Sequence, residues 1–175
     1  MYNVPVLFHK GSANHMLNVN IICVGSLKES YWREACAEYA KRLGGFCKFC
    51  ITEVSESRLP KSYSEADIAK VIENEGKSIL SRIGYGSFVI AMCIEGREMD
   101  SPQLAARLEQ TALCGKSLID FVIGGSYGLS DEVKRRADLR LSMSPMTLPH
   151  QLARVMLCEQ IYRAFSINAD TKYHK

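Results

Sequence analysis

Five apolar runs of strand length, each followed by a segment with helical spacing, constrain this chain more than any other feature of its sequence. The runs are residues 17–24, ending at Gly25, then 47–54, 88–94, 118–123 and a short one at 139–143. After the first, Trp32, Cys36, Tyr39 and Leu43 recur at i, i+4, i+7 and i+11, and Gly44-Gly45 supplies the stop. A second helix is marked by Ile68, Ile72, Ile79 and Ile83 and closed by Gly84. Ser101-Pro102 reads as a helix start, because Ser accepts the orphan amide bonds and Pro suits the first helical position, with Leu104, Leu108 and Ala112 as its buried stripe. Ser130, followed by Asp131 and Glu132, caps a short helix, and residues 149–168 form the last. Strand and helix alternating five times predict an α/β fold, a parallel sheet covered by helices on both faces.

The rest of the composition fits one domain. The chain has 175 residues, 47% of them hydrophobic and 23% charged, which excludes disorder throughout. No run approaches the roughly 18 apolar residues that span a bilayer, and the N-terminus lacks a secretory signal, so the chain reads as soluble and cytoplasmic. Residues 1–15 do not join the alternation and read as an expression leader or unstructured extension before a start at Met16; 16–175 is the single domain. His9 and His15 fall in that leader, leaving His150 and His174 in the body. The 22 Lys plus Arg against 19 Asp plus Glu leave a charge of +3, too little for a general nucleic-acid coat, though a local basic patch fits. Seven cysteines, an odd number set mostly inside apolar segments, indicate a reduced compartment. Cys47 and Cys50 are either buried strand residues or a redox or metal pair, and no second pair or nearby His completes a zinc site.

Several strings carry candidate chemistry. Gly115-Lys116-Ser117 and Gly76-Lys77-Ser78 fail as phosphate loops, because the required earlier glycine is Gln110 in one and Val71 in the other. The 123–128 segment, a strand end opening into Gly124-Gly125-Ser126-Tyr127-Gly128, is either a plain turn or a place where a ligand approaches the backbone. Ligands in parallel α/β sheets bind at the carboxyl ends of strands, which brings in Met92 and the loop Met143-Ser144-Pro145-Met146-Thr147-Leu148. That apolar loop either plugs the core or forms a slot for a flat ring whose edges meet backbone groups. On the last helix, His150 and Arg154 share a face while Arg163 lies nearly opposite. Either one set is structural, with Glu159 pairing Arg163 at i, i+4, or the helix lies at a two-fold interface and serves two sites. Tyr173-His174-Lys175 is either a frayed end or a group suited to proton transfer and phosphate contact.

Taken together these strings are recognisable. Phe-Val-Ile-Gly-Gly-Ser-Tyr-Gly-Leu (121–129), Leu-Ser-Met-Ser-Pro-Met-Thr-Leu-Pro-His-Gln (141–151), Tyr-Arg-Ala-Phe (162–165) and the terminal Tyr-His-Lys strongly resemble the RlmH family of SPOUT-class ribosomal RNA methyltransferases. Val24-Gly25 with Lys28, Glu38-Tyr39, Arg42-Leu43 and Glu73 to Gly76 match as well, so the resemblance spans residues 16–175. It implies a parallel-sheet SPOUT fold with a C-terminal deep trefoil knot, which general topology rules would have rejected. It also implies a homodimer that moves methyl from S-adenosylmethionine to N3 of a pseudouridine, of the position-1915 type, in 23S ribosomal RNA. By the same resemblance, Met92, Gly124 and residues Met143, Ser144, Pro145, Met146, Thr147 and Leu148 contact the cofactor. Arg163, Tyr173 and His174 handle the substrate or take part in catalysis, with His150 and Arg154 as supporting residues. Met92 stands where the family has Leu, and Asn168 to Lys172 lacks the Gly the family often carries there.

Methylating N3 requires loss of the imide proton and in-line attack on a sulfonium methyl, so positioning, an available base and relief of charge suffice, without metal. His174 or Tyr173 is expected to relay the proton and Arg163 to stabilise the anionic base or hold a phosphate. The modest charge favours the assembled ribosome or large subunit over free RNA as partner. Two alternatives remain at the level of sequence. A binding module would hold RNA or cofactor without transfer, and a nicotinamide oxidoreductase lacks its fingerprint here.

Overall fold

A computed structural model describes residues 16–174, so the expected leader at 1–15 lies outside the described residues. In chain order the elements are β1 (Asn18–Val24), α1 (Ser30–Leu43), β2 (Lys48–Val54), α2 (Glu65–Leu80), β3 (Phe88–Glu98), α3 (Ser101–Leu113), β4 (Leu118–Ile123), α4 (Asp131–Arg136), β5 (Leu139–Ser142), α5 (His150–Asn168) and a closing 3-10 turn (Lys172–His174). The strands form one sheet in the order β2-β1-β4-β3-β5, every pair parallel. The expected α/β layering is therefore the observed one.

Hydrophobic burial explains why the central strands are apolar on both sides. Val19, Ile21 and Cys23 of β1 and Ile119, Phe121 and Ile123 of β4 face a core shared with α1, α3 and α5. Ile22, Val24 and Val122 point the other way, into a smaller core with Ile79 of α2 and Val133 of α4. Leftward crossovers (β1 to β2, β3 to β4) thus use the first face and rightward ones (β2 to β3, β4 to β5) the second, which gives all four one hand. α5 then packs between α1 and α3. No helix among the described residues is long and apolar enough to cross a membrane.

Four details differ from the sequence expectation. β3 continues past residue 94 to Glu98, because after a register shift between Met92 and Arg97 the chain pairs again with Leu141 and Ser142. Gly96 permits this, since a Cβ there would stand 2.6 Å from the Leu141 carbonyl carbon. The cap of α3 is Asp100, not Ser101: Asp100 accepts from Gln103 N–H at 2.7 Å in a capping box. Ser101 instead donates to Gln160 of α5 at 2.7 Å. α2 ends at Leu80, so Ile83 lies beyond the helix, although it still packs on the smaller core. Cys47 is buried as a strand-side residue should be, but Cys50 is exposed because β2 is an edge strand, and its thiol donates to Asn20 Oδ1 at 3.1 Å. Among the described residues no three His, Cys, Asp or Glu side chains are grouped to hold a metal ion.

Candidate functional site

Loops at the carboxyl edge of the sheet collect the residues expected to meet a cofactor. β3 leads to α3 on one face and β4 to α4 on the other, so the chain diverges between two adjacent strands, the place where open α/β sheets form a crevice. Met92 sits there, half-buried, paired with Ile123 of β4 on one side and Leu141 of β5 on the other. The glycine turn after β4 closes on itself through Gly128 N–H to Gly125 O at 3.1 Å. Gly128 adopts φ +83°, and a Cβ at Gly124 would lie 2.5 Å from Gly128 O, so the turn itself demands both glycines. Ser130 then caps α4, its Oγ accepting from Val133 N–H at 3.3 Å.

The loop from Met143 to Leu148 completes this edge. It starts at β5, an outer strand, while Arg154 one turn into α5 donates to Gly25 O at 2.9 Å, at the exit of central β1. The intervening chain therefore travels from the sheet's edge to its middle along the carboxyl side. Met143 packs against the core, whereas Pro145, Met146 and Thr147 are exposed, Met146 at 73%. The loop is held from within, by Ser142 Oγ donating to Ser144 O at 3.1 Å and Met146 N–H donating to Ser144 Oγ at 3.0 Å. Its tip is thus apolar and uncovered in the single chain. His150 opens α5, half-buried, and no side chain caps that helix start.

Arg154 follows that loop, one turn into α5. It is 1% exposed, its guanidinium donating to Glu53 Oε1 at 2.6 Å and to the carbonyls of Gly25 and Val24, while Nε has no partner. With Arg33, Cys36, Phe49 and Glu53 it borders a cavity of about 480 Å³ between α1 and β2. Its evident work is to tie α5 to the exits of β1 and β2.

A second polar cluster occupies the far end of α5. Glu159 Oε1 accepts from Arg163 Nε at 2.8 Å and from Tyr173 Oη at 3.3 Å, and Gln160 donates to Oε2 at 2.6 Å. The Arg163 guanidinium stands 4.9 Å from the Tyr173 ring centroid, and Tyr173 meets the Tyr162 ring edge-on at 4.7 Å. Burial and the neighbouring Tyr39 hydroxyl push the Tyr173 phenol up to about 12. Glu159 raises the already high pKa of Arg163. The tail is therefore seated in this structure. The 3-10 turn includes His174, but the side chain of His174 lies outside the described residues.

The structure brings Met92, Gly124 and the 143–148 loop to one edge, and Arg163 with Tyr173 to another place. Thirteen residues separate His150, just past the loop, from Arg163, about 20 Å along a helix. Sequence reasoning gave Glu159 only as an ion-pair partner and missed Tyr162 and Tyr39 around the tail. Their signal was the i, i+3 spacing of Tyr39 and Arg42, which puts the Tyr39 ring 6.2 Å and the Arg42 guanidinium 5.8 Å from the centre of the Tyr162 ring.

Residues 17–174 match a family model described as "Predicted SPOUT methyltransferase". The chain is 51% identical over 159 residues to the ribosomal RNA large subunit methyltransferase H of Bifidobacterium animalis subsp. lactis (strain AD011), covering 91% of this chain and 100% of that relative. It is 50% identical, with the same coverage, to the protein of that name from Exiguobacterium sp. (strain ATCC BAA-1283 / AT1b). A solved structure described as a probable methylase family protein from Haemophilus influenzae Rd KW20 shares the fold at TM-score 0.51 and 18% identity, covering 91% of this chain and 71% of its own.

Proposed function

The chain belongs to the SPOUT methyltransferase family, and on that premise we propose that it transfers methyl from S-adenosylmethionine to N3 of a pseudouridine in 23S ribosomal RNA. The observation that carries this reading is identity near 50% across the whole length of relatives named ribosomal RNA large subunit methyltransferase H. Residues 16–175 act as one catalytic domain, and the C-terminal trefoil knot belongs to the same reading.

The carboxyl edge fits the cofactor. An exposed apolar loop tip and a tight glycine turn at the same sheet edge are residues that would hold the apolar part of such a cofactor. Met92, Gly124 and residues 143–148 hold it. When bound, S-adenosylmethionine supplies an electrophilic methyl on a sulfonium. The imide proton of N3 has to leave for that nitrogen to accept the methyl. A phenol raised to about 12 stays protonated near neutral pH, so Tyr173 serves this reading as a hydrogen-bond donor, and His174, the next residue in the chain, is the proposed proton relay. Arg163, always cationic and held by Glu159, offsets the negative charge that develops on the base.

The spacing of His150 and Arg163 along α5 suits a homodimer in which one protomer's Arg163–Tyr173 cluster serves its partner's loop. Met156, 37% exposed, is an apolar residue that α5 leaves uncovered for such a contact. A net charge of +3 suits a folded ribosomal surface more than bare RNA, and a ribosomal substrate is one the chain would meet in the cytoplasm.

Labelled S-adenosylmethionine offered to intact ribosomes, separated subunits and free 23S RNA, with nucleoside mass spectrometry, tests this directly. N3-methylpseudouridine on an assembled particle is the expected product. Cofactor binding without transfer to any of the three would favour an RNA-binding role or another target, and no cofactor binding would overturn the reading.

A further inference from the structure

Glu75 of α2 is 3% exposed, yet only half of its carboxyl is satisfied. Oε1 accepts from Ser57 N–H at 2.9 Å, just past β2, while Oε2 has no partner. Among the described residues no cation pairs with it; the charged neighbour is Glu56, of the same sign. A buried, half-paired carboxyl is expensive, and an apolar side chain would fill the place at lower cost. Its surroundings show what the carboxyl does there. A Cβ on Gly125 would stand 2.7 Å from Oε2 and 3.1 Å from Val24 Cγ1, so the unpartnered oxygen lies against Gly125 on the side where a side chain would start. One residue on, a Cβ at Gly76 would overlap Ser130, the cap of α4. Two consecutive residues of α2 thus abut both ends of the segment running from the end of β4 to the start of α4.

We infer that Glu75 is a positioning residue: its free carboxylate oxygen fixes Gly125, and through it the Gly124–Gly128 turn, in the shape that receives the methyl donor. This rests on the reading that the turn belongs to the cofactor site. The oxygen lies against Gly125 and admits no side chain there. An amide at the same place presents N–H to Gly125 and pushes the turn away. The ionised form is therefore the one that holds the turn, although burial favours the neutral form and raises the pKa of Glu75.

Isothermal titration of S-adenosylmethionine and S-adenosylhomocysteine into the full chain and its Glu75→Gln variant is the test. The expected result is affinity for both ligands lowered about tenfold, the worth of one misplaced hydrogen bond, at a melting temperature no lower than that of the parent. Parent and variant binding equally would overturn the inference, and affinity falling only in step with melting temperature would reduce Glu75 to a structural residue and also overturn it. A parent chain that binds neither ligand removes the cofactor reading itself, and this inference with it. If the variant does not fold, the amide resonances of Gly125 and Gly128 in the parent decide. They should titrate with Glu75 above the ordinary carboxyl range, and resonances that stay flat through that range overturn the inference.

Discussion

Two buried side chains carry opposite electrostatic burdens. Arg154 is buried but bonded to Glu53, Gly25 and Val24, so Arg154→Ala removes a tie between α5 and two strand exits. Loss of about 3 kcal/mol is expected in denaturant unfolding. Glu53→Gln should cost about 2 kcal/mol, because it leaves the buried Arg154 guanidinium without its counter-charge, while the 43% exposure of Glu53 keeps the loss below that of a fully buried pair. Glu75 works the other way. Its pKa is raised in the folded state, so the folded chain binds this proton more readily than the unfolded one. The associated stability is fully present below the unfolded value of 4.5 and is lost as pH rises through the folded value. Unfolding followed between pH 7 and pH 4.5 should show the parent gaining on Glu75→Gln as pH falls, and a constant difference would contradict the burial argument.

At the scale of elements, the end of α5 shows both what sequence reveals and what it conceals. The helix stops in a Schellman arrangement: Thr171 N–H bonds to Ser166 O and Asp170 N–H to Ile167 O, both at 3.0 Å. Asp170 occupies the left-handed position at φ 50°, alone in this respect among the described non-glycine residues. The segment 168–172, which carries no Gly, thus turns through an aspartate in the left-handed region. Asp170→Gly should stabilise the protein by about 1 kcal/mol, read as a rise of roughly 3 °C in melting temperature. The periodicities of α1 and α2 were readable because each helix buries one stripe. The cap of α3 was misread by one residue because Asp100 and Ser101 both have capping side chains, and only contact with Gln160 engages Ser101 elsewhere. The outer half of β3 was unreadable, since Glu95, Arg97 and Glu98 are charged and pairing there depends on where β5 lies.

For the whole molecule, the grouping of Arg163 with Tyr173 in one cluster determines which chains can complement each other. Arg163→Ala and a chain ending at Ala169 damage the same cluster, so a mixture of the two should stay inactive. Arg163→Ala mixed with Gly124→Val damages opposite halves. Half of randomly formed dimers would carry both chains, and each would have one intact composite site, giving about a quarter of parental activity per chain. Methyl-transfer assays on refolded mixtures would show this, and failure of the second pair to recover would place each site within one protomer.

The sequence alone determined the α/β layering, since strand and helix periods follow directly from which faces must leave water. It also pointed to the glycine turn and the apolar loop, because Gly124, Gly128 and Met146 break local rules visibly. Only the tertiary structure decided that Tyr173 is seated under Arg163 and that Arg154 ties α5 to the strand exits. It also revealed that Glu75 presses on Gly125. Those facts depend on strand order and on which elements meet across the sheet, and spacing along a chain carries no information about contacts between residues 50 or 100 positions apart.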